Sequence, residues 1–484
     1  MNCAGSKFPR TRFAGTWSGR YLQALTGVLP LNRCSTSRVQ PPVRRKTECH
    51  FSQQPHTYVL PKNSSRKVSL GKFGNPASER HSEPSSSYKF YLTANSTDEA
   101  KGSDSNSGVM KTMKNTGSGQ KVRVGIVGVG NWAKYGHIPA LRLLPGYEIT
   151  AVSSRRIETA QEIAKSFGIS AAFSDYHDLV TDPGVDMVIV LPPAPQHAAV
   201  VKAAIAAGKD VYSEWPLTTS TADSEELLHI AQAAGVRHVV GLQRRVGPSA
   251  QYLRDLVASK YVGEMRSVRI HVSMPYFHQE RPPALAWTLG AKNFSHVLAI
   301  YVGHFLDMLF HAVGQPKTLS SIIATQFPTL TLSATGESFP NDTPDGIVGI
   351  GTLENGALLS FQVEGGKLHN SGLQIDITGT TGDLKISNPS SFGHAKENLI
   401  EGGQGAKTPF SELPIPSAYS HIPPSSLDVS VEDLAHLYAA HLEDRKNGTR
   451  IAPNFRDGVR MHKLIDLMFA SSSTGALQTV DSDK

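Results

Sequence analysis

Cysteine and long apolar runs are both missing from most of this sequence. The three cysteines, Cys3, Cys34 and Cys49, lie near the amino terminus, and residues 121–484 contain none. The larger part of the chain therefore has no disulfide, no thiolate metal site and no cysteine nucleophile, and we expect no bound metal. No uninterrupted apolar run reaches the length of a membrane-spanning helix, so we expect no membrane segment.

Acidic residues are missing from the first part of the chain. Residues 1–47 contain no Asp or Glu but carry nine Lys or Arg among many Ser and Thr, a composition that resembles a mitochondrial transit peptide. Residues 50–120 are rich in Ser, Asn, Gly and Lys without a sustained hydrophobic period, which predicts a disordered linker. The alternative is that residues 1–112 are a gene-model artefact and that translation starts at Met113. We expect a cytoplasmic protein, or a mitochondrial one if the transit peptide is real.

Positive charge is confined to this extension. Residues 1–120 hold 18 of the 48 Lys and Arg but only 6 of the 41 Asp and Glu. The rest of the chain is therefore slightly acidic, with a net charge of −5. Direct binding to nucleic acid needs a basic surface, so we expect none from this part of the chain.

A strand, a glycine-rich turn and a helix follow one another at residues 121–144. The run 122–127 is apolar and β-branched, as in a buried parallel strand. The turn after it has the pattern G-x-G-x-x-A, in which the glycines allow a tight turn and close approach of a pyrophosphate to the backbone. The sequence therefore predicts a dinucleotide site, and the turn residues expected to contact the cofactor are Gly128, Gly130, Asn131, Trp132 and Ala133.

Residues 121–242 continue as alternating strands and helices. Repeated βα units of this kind predict a doubly wound parallel sheet, that is, an N-terminal Rossmann domain. The predicted strands after the first are 147–153, 185–191, 210–213 and 237–242. The predicted helices are 131–144, 157–167, 175–180, 196–207 and 221–234.

The pattern changes after residue 243 to alternating polar and apolar residues. This alternation predicts an open, mostly antiparallel mixed sheet over a second domain, residues 243–475, followed by a tail at 476–484. The fold class is therefore α/β followed by α+β. The alternating segments are 265–274, 318–333, 345–363 and 373–387, and the helices are 249–259, 297–313, 430–445 and 455–470. Residues 389–427 are rich in Gly, Ser and Pro and are predicted to form a mobile loop.

Two further segments end predicted strands next to the glycine-rich turn. After the second strand, Ser154 and Arg155 stand where NAD-selective sites place a carboxylate, so they favour NADP over NAD. After the third, Pro192 and His197 lie at the carboxyl edge of the sheet, where ligands bind. We expect both to contact the cofactor; the alternative for His197 is that it caps the helix that follows.

The segment Tyr212-Ser213-Glu214-Trp215-Pro216-Leu217 completes a pattern that resembles the Gfo/Idh/MocA superfamily. The resemblance covers residues 120–475 and implies a Rossmann domain joined to an open mixed-sheet domain that binds substrate. In that family this segment reads Glu-Lys-Pro, and the lysine is implicated in substrate binding and proton handling. Glu214 and Pro216 match here, but Trp215 replaces the lysine and has no group that titrates near neutral pH. We predict that Glu214 and Trp215 border the cofactor.

A second family motif, D-x-G-x-H-x-x-D, is also altered. This chain has Ile300-Tyr301-Val302-Gly303-His304-Phe305-Leu306-Asp307, so His304 and Asp307 match while Ile300 replaces the first Asp. The resemblance implies that this helix faces substrate and nicotinamide. His304 is then the best remaining proton donor or acceptor, with Tyr301 behind it and Asp307 beside it; a core histidine and a structural carboxylate are the alternatives.

Together the two departures resemble the branch that contains the galactose-regulon repressor of yeasts. The resemblance also implies that Arg245 lines the cleft. Two hypotheses follow. The first is an NAD(P)-dependent oxidoreductase that acts on a small hydroxy or carbonyl compound, with a role in specialised fungal metabolism. The second is a catalytically silent NAD(P)-binding co-regulator that acts in the nucleus on an activator protein. A homo-oligomer through the C-terminal sheet is expected in both.

Overall fold

The structure, a computed structural model, describes residues 120–369, 372–390 and 397–481. The predictions of a transit peptide, a disordered linker and an alternative start concern residues before 120, and they lie outside the described part of the chain. The same holds for the last three residues of the predicted tail.

The sheet of the first domain is parallel, as the βα pattern predicts, and it has six strands, one of which (Ala171–Phe173) the sequence did not predict. Their order is β3-β2-β1-β4-β5-β6, so the winding direction reverses between β1 and β4, where doubly wound sheets bind their ligands. Val124 and Ile126 of β1 are fully buried because helices cover both faces of the sheet. The strands are β1 (Val122–Val127), β2 (Tyr147–Ser153), β3 (Ala171–Phe173), β4 (Met187–Val190), β5 (Asp210–Ser213) and β6 (His238–Val240).

Three helix ends of this domain show recognisable capping residues. Asp175 accepts a hydrogen bond from the His177 amide at 2.9 Å, Ser220 caps its helix in the same way, and Gly168 ends another at φ +59°. A π-helical turn, Ala133–His137, leads into the first helix. The helices are α1 (Ile138–Arg142), α2 (Ile157–Phe167), α3 (Tyr176–Thr181), α4 (His197–Ala206) and α5 (Thr221–Ala234).

The second domain is built on a nine-stranded mixed sheet, which confirms the predicted open and mostly antiparallel architecture. Only β7 and β13 pair in parallel within it, as far as the described residues go. Its strands, in spatial order, are β17 (Ser411–Glu412), β16 (Leu399–Gln404), β15 (Gly382–Asn388), β14 (Gly372–Gly379), β7 (Met265–Ser273), β13 (Leu358–Glu364), β12 (Gly346–Leu353), β9 (Pro316–Ala324) and β18 (Gln478–Thr479). A small sheet holds β11 (Ser338–Pro340), β10 (Thr329–Leu332) and β8 (Glu280–Arg281).

Four helices pack on this sheet and on the first domain. They are α6 (Pro248–Ala258), α7 (Gly303–Val313), α8 (Val429–Asn447) and α9 (Phe455–Thr474). A second π-helical turn, Leu298–Val302, leads into α7. The stretch Ala291–Val313 meets the length and composition of a membrane span, although 89% of its apolar window is buried inside the protein. Such burial is what a core helix shows.

The prediction of a mobile loop over residues 389–427 is wrong for residues 399–404. Strand β16 pairs with β15 there, and Ile400 is only 1% exposed. The glycines that made the segment look irregular serve close packing, since a Cβ on Gly402 would lie 2.9 Å from Leu413 and from the Tyr261 hydroxyl. Glycine in a strand marks such close approaches as well as loops.

Candidate functional site

The turn after β1 has the shape that a dinucleotide needs. Gly128 adopts φ +91°, and a Cβ there would lie 2.8 Å from the backbone nitrogen of Pro192 at the end of β4. A Cβ on Gly130 would meet nothing within 4 Å, so the backbone at Gly130 faces open space. Asn131 beside it is exposed, while Ala133 is buried under the turn. These residues fit a pyrophosphate laid over Gly130.

The end of β2 lies next to this turn. The backbone N–H of Ser154 donates to the carbonyl of Phe173 at 3.1 Å, which fixes the backbone where the strand ends. Arg155 follows as an exposed side chain. β1 and β2 are paired neighbours, so the predicted ribose-binding residues lie at the same sheet edge as Gly130.

Glu214, at the carboxyl end of β5, is the centre of a buried hydrogen-bond cluster. Its Oε1 accepts from the indole N–H of Trp132 and from Nε2 of His137, both at 2.7 Å, and from the Tyr212 hydroxyl at 3.0 Å. Burial opposes ionisation of Glu214, but the hydrogen bonds from His137 and Trp132 outweigh it and lower the pKa of this carboxyl. Glu214 is therefore an ionised hub that positions Trp132 of the glycine-rich turn.

The cluster continues from His137 into the last part of the chain. Because a carboxylate can only accept, His137 donates to Glu214 through Nε2, and its Nδ1 lies 2.7 Å from the Tyr438 hydroxyl. Tyr147 approaches the Tyr438 carbonyl at 3.1 Å and Nδ1 of His441 at 2.6 Å. Helix α8 is thus tied to the glycine-rich turn by residues that the sequence analysis did not single out.

Trp215, which replaces the family lysine, is packed between the two domains. Its peptide bond to Pro216 is cis, its indole N–H donates to the Ala299 carbonyl at 2.6 Å, and the residue is 4% exposed. A Cβ on Gly303 would lie within van der Waals overlap of the indole ring. The glycine on α7 therefore makes room for the tryptophan, and position 215 joins the domains without a titratable group.

His197 holds two loops of the site together. Its Nδ1 lies 2.9 Å from the Pro216 carbonyl, and its Nε2 lies 2.7 Å from the Pro192 carbonyl. The residue is 2% exposed, and burial lowers the pKa of its imidazole. His197 does not cap helix α4 with its side chain, since both ring nitrogens face these carbonyls. It therefore positions Pro192 beside the glycine-rich turn.

His304 and Tyr301 lie on the helix that faces this cluster, and both are buried. His304 is 6% exposed, and burial lowers the pKa of its imidazole to about 4. The negative charge of Glu214 favours the protonated ring, but this effect is smaller than that of burial. Tyr301 is 3% exposed, and burial raises the pKa of its phenol well above 10. At neutral pH the imidazole is therefore uncharged and the phenol keeps its proton.

Arg245 and Asp307, predicted at the cofactor and in catalysis, form an ion pair with each other. Nε of Arg245 donates to Oδ2 of Asp307 at 2.7 Å, and Nη2 reaches the other carboxylate oxygen. Nη1 lies 3.0 Å from Asp457 at the start of α9. Burial alone would lower the pKa of Arg245, but the two carboxylates raise it further above its usual range. Through Asp307 and Asp457, Arg245 connects α7 and α9 to the segment between the domains.

Other parts of the described surface do not bring the predicted site residues together. A hollow of about 550 Å³ lies on α1 and on residues 424–427, and no predicted site residue lines it. Within residues 120–369, 372–390 and 397–481, no group of three His, Cys, Asp or Glu is placed to hold a metal. The edge of the first sheet around Gly130, Glu214 and His304 is therefore the candidate site.

Comparison with known proteins assigns the two domains separately. Residues 122–242 match the GFO_IDH_MocA family model, described as an oxidoreductase family with an NAD-binding Rossmann fold. Residues 248–388 match the model for the C-terminal domain of Gal80p. The two matches meet at the segment that carries Arg245.

Relatives of both kinds are known. The dehydrogenase aclE of Aspergillus oryzae is 30% identical over 379 residues, which cover 74% of this chain and 97% of that protein. The galactose/lactose metabolism regulatory protein GAL80 of Saccharomyces cerevisiae is 27% identical over 304 residues, or 58% of this chain and 69% of that one.

Solved structures show the same fold. Levoglucosan dehydrogenase in complex with NADH and L-sorbose superposes with a TM-score of 0.66 at 20% identity, covering 75% of this chain and all of that one. At this identity the likeness concerns the fold alone. With the matching family models and the aclE relative, the chain belongs to the Gfo/Idh/MocA oxidoreductase family, in the branch that resembles Gal80p.

Proposed function

We propose that this protein is an NAD(P)-dependent oxidoreductase that acts on a small hydroxy or carbonyl compound. The observation that carries the proposal is the Glu214 cluster, which connects the dinucleotide turn to the helix that bears His304. Glu214 holds Trp132 of the turn at 2.7 Å, and its charge acts on the buried imidazole of His304. These interactions support a nicotinamide site and a proton-transfer group that lie close to each other.

The chain supplies binding, orientation and proton transfer. A nicotinamide cofactor supplies hydride transfer when bound. Gly128 and Gly130 would hold its pyrophosphate, and Ser154 and Arg155 would border its ribose. The uncharged ring of His304 can accept a proton from a substrate hydroxyl on oxidation, and in the reverse direction the protonated ring, the imidazolium, would return that proton to the carbonyl oxygen.

We infer a preference for NADP over NAD. A carboxylate at the end of β2 would bind the 2′-hydroxyl of NAD, but Ser154 stands there with the exposed Arg155 beside it. Arginine forms bidentate contacts with phosphate oxygens, which NADP carries on that ribose. The family is described as NAD-binding, so titration of both cofactors decides the point.

Replacing His304 with alanine is expected to lower turnover by about 10²–10⁴-fold, the usual contribution of a general acid–base group. Cofactor affinity should stay unchanged, because the glycine-rich turn is not altered. The measurement is nicotinamide absorbance over a panel of sugars, polyols and alcohols with NADP and NAD, together with cofactor titration. Gly130→Trp is the matched control: it fills the open space over the turn and should abolish cofactor binding and turnover together.

The co-regulator hypothesis has one structural observation in its favour. Trp215 occupies the position of the family lysine and serves packing, with its N–H on the Ala299 carbonyl. A protein without turnover could keep this arrangement and use the cofactor as a sensing ligand. Tight cofactor binding without turnover on any compound, together with capture of a transcription activator, would replace the oxidoreductase proposal with this one.

We also propose a homo-oligomer that forms through the nine-stranded sheet. Ile322, Val348, Ile350 and Leu358 share one face of β9, β12 and β13, and each is 47–69% exposed. Neighbouring residues such as Ile347 and Leu359 face the opposite, buried side. A second copy of the same face is a partner of matching chemistry.

Ile350→Glu should convert this oligomer into a monomer. A carboxylate placed in an apolar interface raises the dissociation constant by about 100-fold or more. Sedimentation equilibrium gives the mass directly. Gln232→Glu adds the same charge to an exposed position on α5 and should leave the mass unchanged. A wild-type protein that sediments as a single chain at all concentrations would refute the proposed oligomer.

A further inference from the structure

Arg281 is a buried cation outside the cluster described above. It ends the short strand β8 and is 2% exposed, one of the largest side chains to be buried so completely. Its Nε and Nη1 have no hydrogen-bond partner, and in the part of the chain that the structure describes it forms no ion pair with a carboxylate. The other two buried arginines near the site differ, because Arg245 has two carboxylates and Arg244 has further interactions.

A charge in this position is costly unless something compensates it. Burial lowers the pKa of Arg281 to about 10, so the guanidinium stays protonated at neutral pH. Asp345 acts on it through space, but the oxygens of Asp345 already accept hydrogen bonds from the amides of Gln326 and Phe327 at 2.8–2.9 Å. Proteins pair buried charges, and the described residues leave this one without a direct partner.

The position of Arg281 connects it to the candidate site. Its guanidinium carbon lies 4.7 Å from the centre of the Phe277 ring, and that ring packs edge-on against Tyr301 at 5.3 Å. Tyr301 precedes His304 by one helical turn. Phe277 adopts φ +65°, a backbone conformation that bulky residues rarely take and that clusters at binding sites.

We propose that Arg281 is the counter-ion for a carboxylate on the substrate, so that the site takes a ring-containing monocarboxylate with a hydroxyl or carbonyl group. The proposal rests on the oxidoreductase function and names its substrate class. One guanidinium without a counter-charge matches one carboxylate, with which it can form two parallel hydrogen bonds. The rings of Phe277 and Tyr301 supply an apolar wall for the rest of the molecule.

Arg281 belongs to a segment that has little regular secondary structure. Residues 275–295 contain only the two-residue strand β8 and 3-10 turns, and Tyr276 and Trp287 within it are 39% and 41% exposed. Tyr276 also acts electrostatically on both Tyr301 and the exposed Tyr135 near the glycine-rich turn. Elements with few backbone hydrogen bonds open locally more easily than helices or sheets do.

Calorimetric titration of the cofactor-loaded full chain tests this proposal. The probes are benzoate and cyclohexanecarboxylate, each compared with its uncharged amide of the same shape. At least one carboxylate should bind about 100-fold more tightly than its amide, and Arg281→Met should abolish the difference, as loss of a buried charge pair does. Arg281→Lys keeps the positive charge but cannot form two parallel hydrogen bonds, so it should retain part of the difference in affinity between carboxylate and amide. Arg269→Met, at an exposed arginine, should change nothing.

Two further readouts separate the possible failures. Arg281→Met removes a charge without a partner, so the ligand-free variant should melt about 2–4 °C higher; a lower melting temperature would mean a structural role and refute the proposal. Equal affinity for carboxylates and amides, or for wild type and Arg281→Met, would also refute it. If neutral polyols are turned over in a reaction that depends on His304, the oxidoreductase proposal is supported even when the carboxylate proposal fails. If carboxylates bind preferentially but no compound is turned over, the oxidoreductase proposal alone is refuted.

Discussion

Replacing Arg245 with methionine will lower the free energy of unfolding by about 3–5 kcal/mol. The side chain is 9% exposed and lies between Asp307, which is 3% exposed, and Asp457, which is 12% exposed. Methionine has a similar length but no charge. The substitution therefore leaves two carboxylates close together in the interior with no cation between them. The folded state is destabilised by the full free-energy cost of burying a charge without a partner.

A second arginine in the same fold provides the matched control. Arg269 also contacts a carboxylate through Nε and Nη2, that of Asp376, but its side chain is 68% exposed. Arg269→Met should cost less than about 1 kcal/mol, because water and salt screen an exposed pair. Urea denaturation of both variants gives the comparison. A loss at Arg245 as small as that at Arg269 would show that the buried pair is not needed for stability.

This ion pair also shows what sequence reasoning could not reach. Arg245 and Asp307 were predicted one by one from family motifs, with roles at the cofactor and in catalysis. Their contact joins residues 62 positions apart, on different elements. No local pattern encodes such a pairing, since both residue types are equally at home on a surface, in a cleft or in an ion pair.

Local patterns did predict the dinucleotide turn and the sheet that carries it. Strand β1, the positive φ of Gly128 and the open space at Gly130 all depend on short-range sterics that the residue types fix. The hub role of Glu214 depends on partners up to 82 residues away and, through His137, on Tyr438, which is 301 residues further along. The two π-helical turns were also missed, because hydrophobic periodicity does not distinguish them from α-helix.

Acidification is the second perturbation with a large expected effect: the protein should unfold as the pH falls from about 6.5 towards 4. Seven histidines in the described part of the chain are at most 6% exposed, and five of them have strongly shifted pKa values: His296, His304, His436, His441 and His462. Burial lowers their pKa values to about 4, and to about 3 for His441. In the unfolded chain each has a pKa of about 6.5.

The sign of the effect follows from proton uptake. Below about pH 6.5 the unfolded chain binds protons that the folded chain refuses, so the stabilising contribution is complete above 6.5 and is lost as the pH falls. Five protons correspond to a slope of about 7 kcal/mol per pH unit once the unfolded chain is fully protonated. A typical unfolding free energy of about 5–15 kcal/mol is then exhausted within one to two pH units.

His462 allows this explanation to be tested one proton at a time. Its ring is stacked 5.3 Å from Phe294 and 4.9 Å from Trp215, and neither ring nitrogen has a hydrogen-bond partner among the described residues. His462→Phe keeps the stacking and removes the titrating group, so the pH slope of the urea midpoint should flatten by the contribution of about one proton. His369→Phe, at an exposed position, should leave the slope unchanged. A wild-type midpoint that stays constant between about pH 7.5 and 5 would show that the buried imidazoles are protonated within the fold.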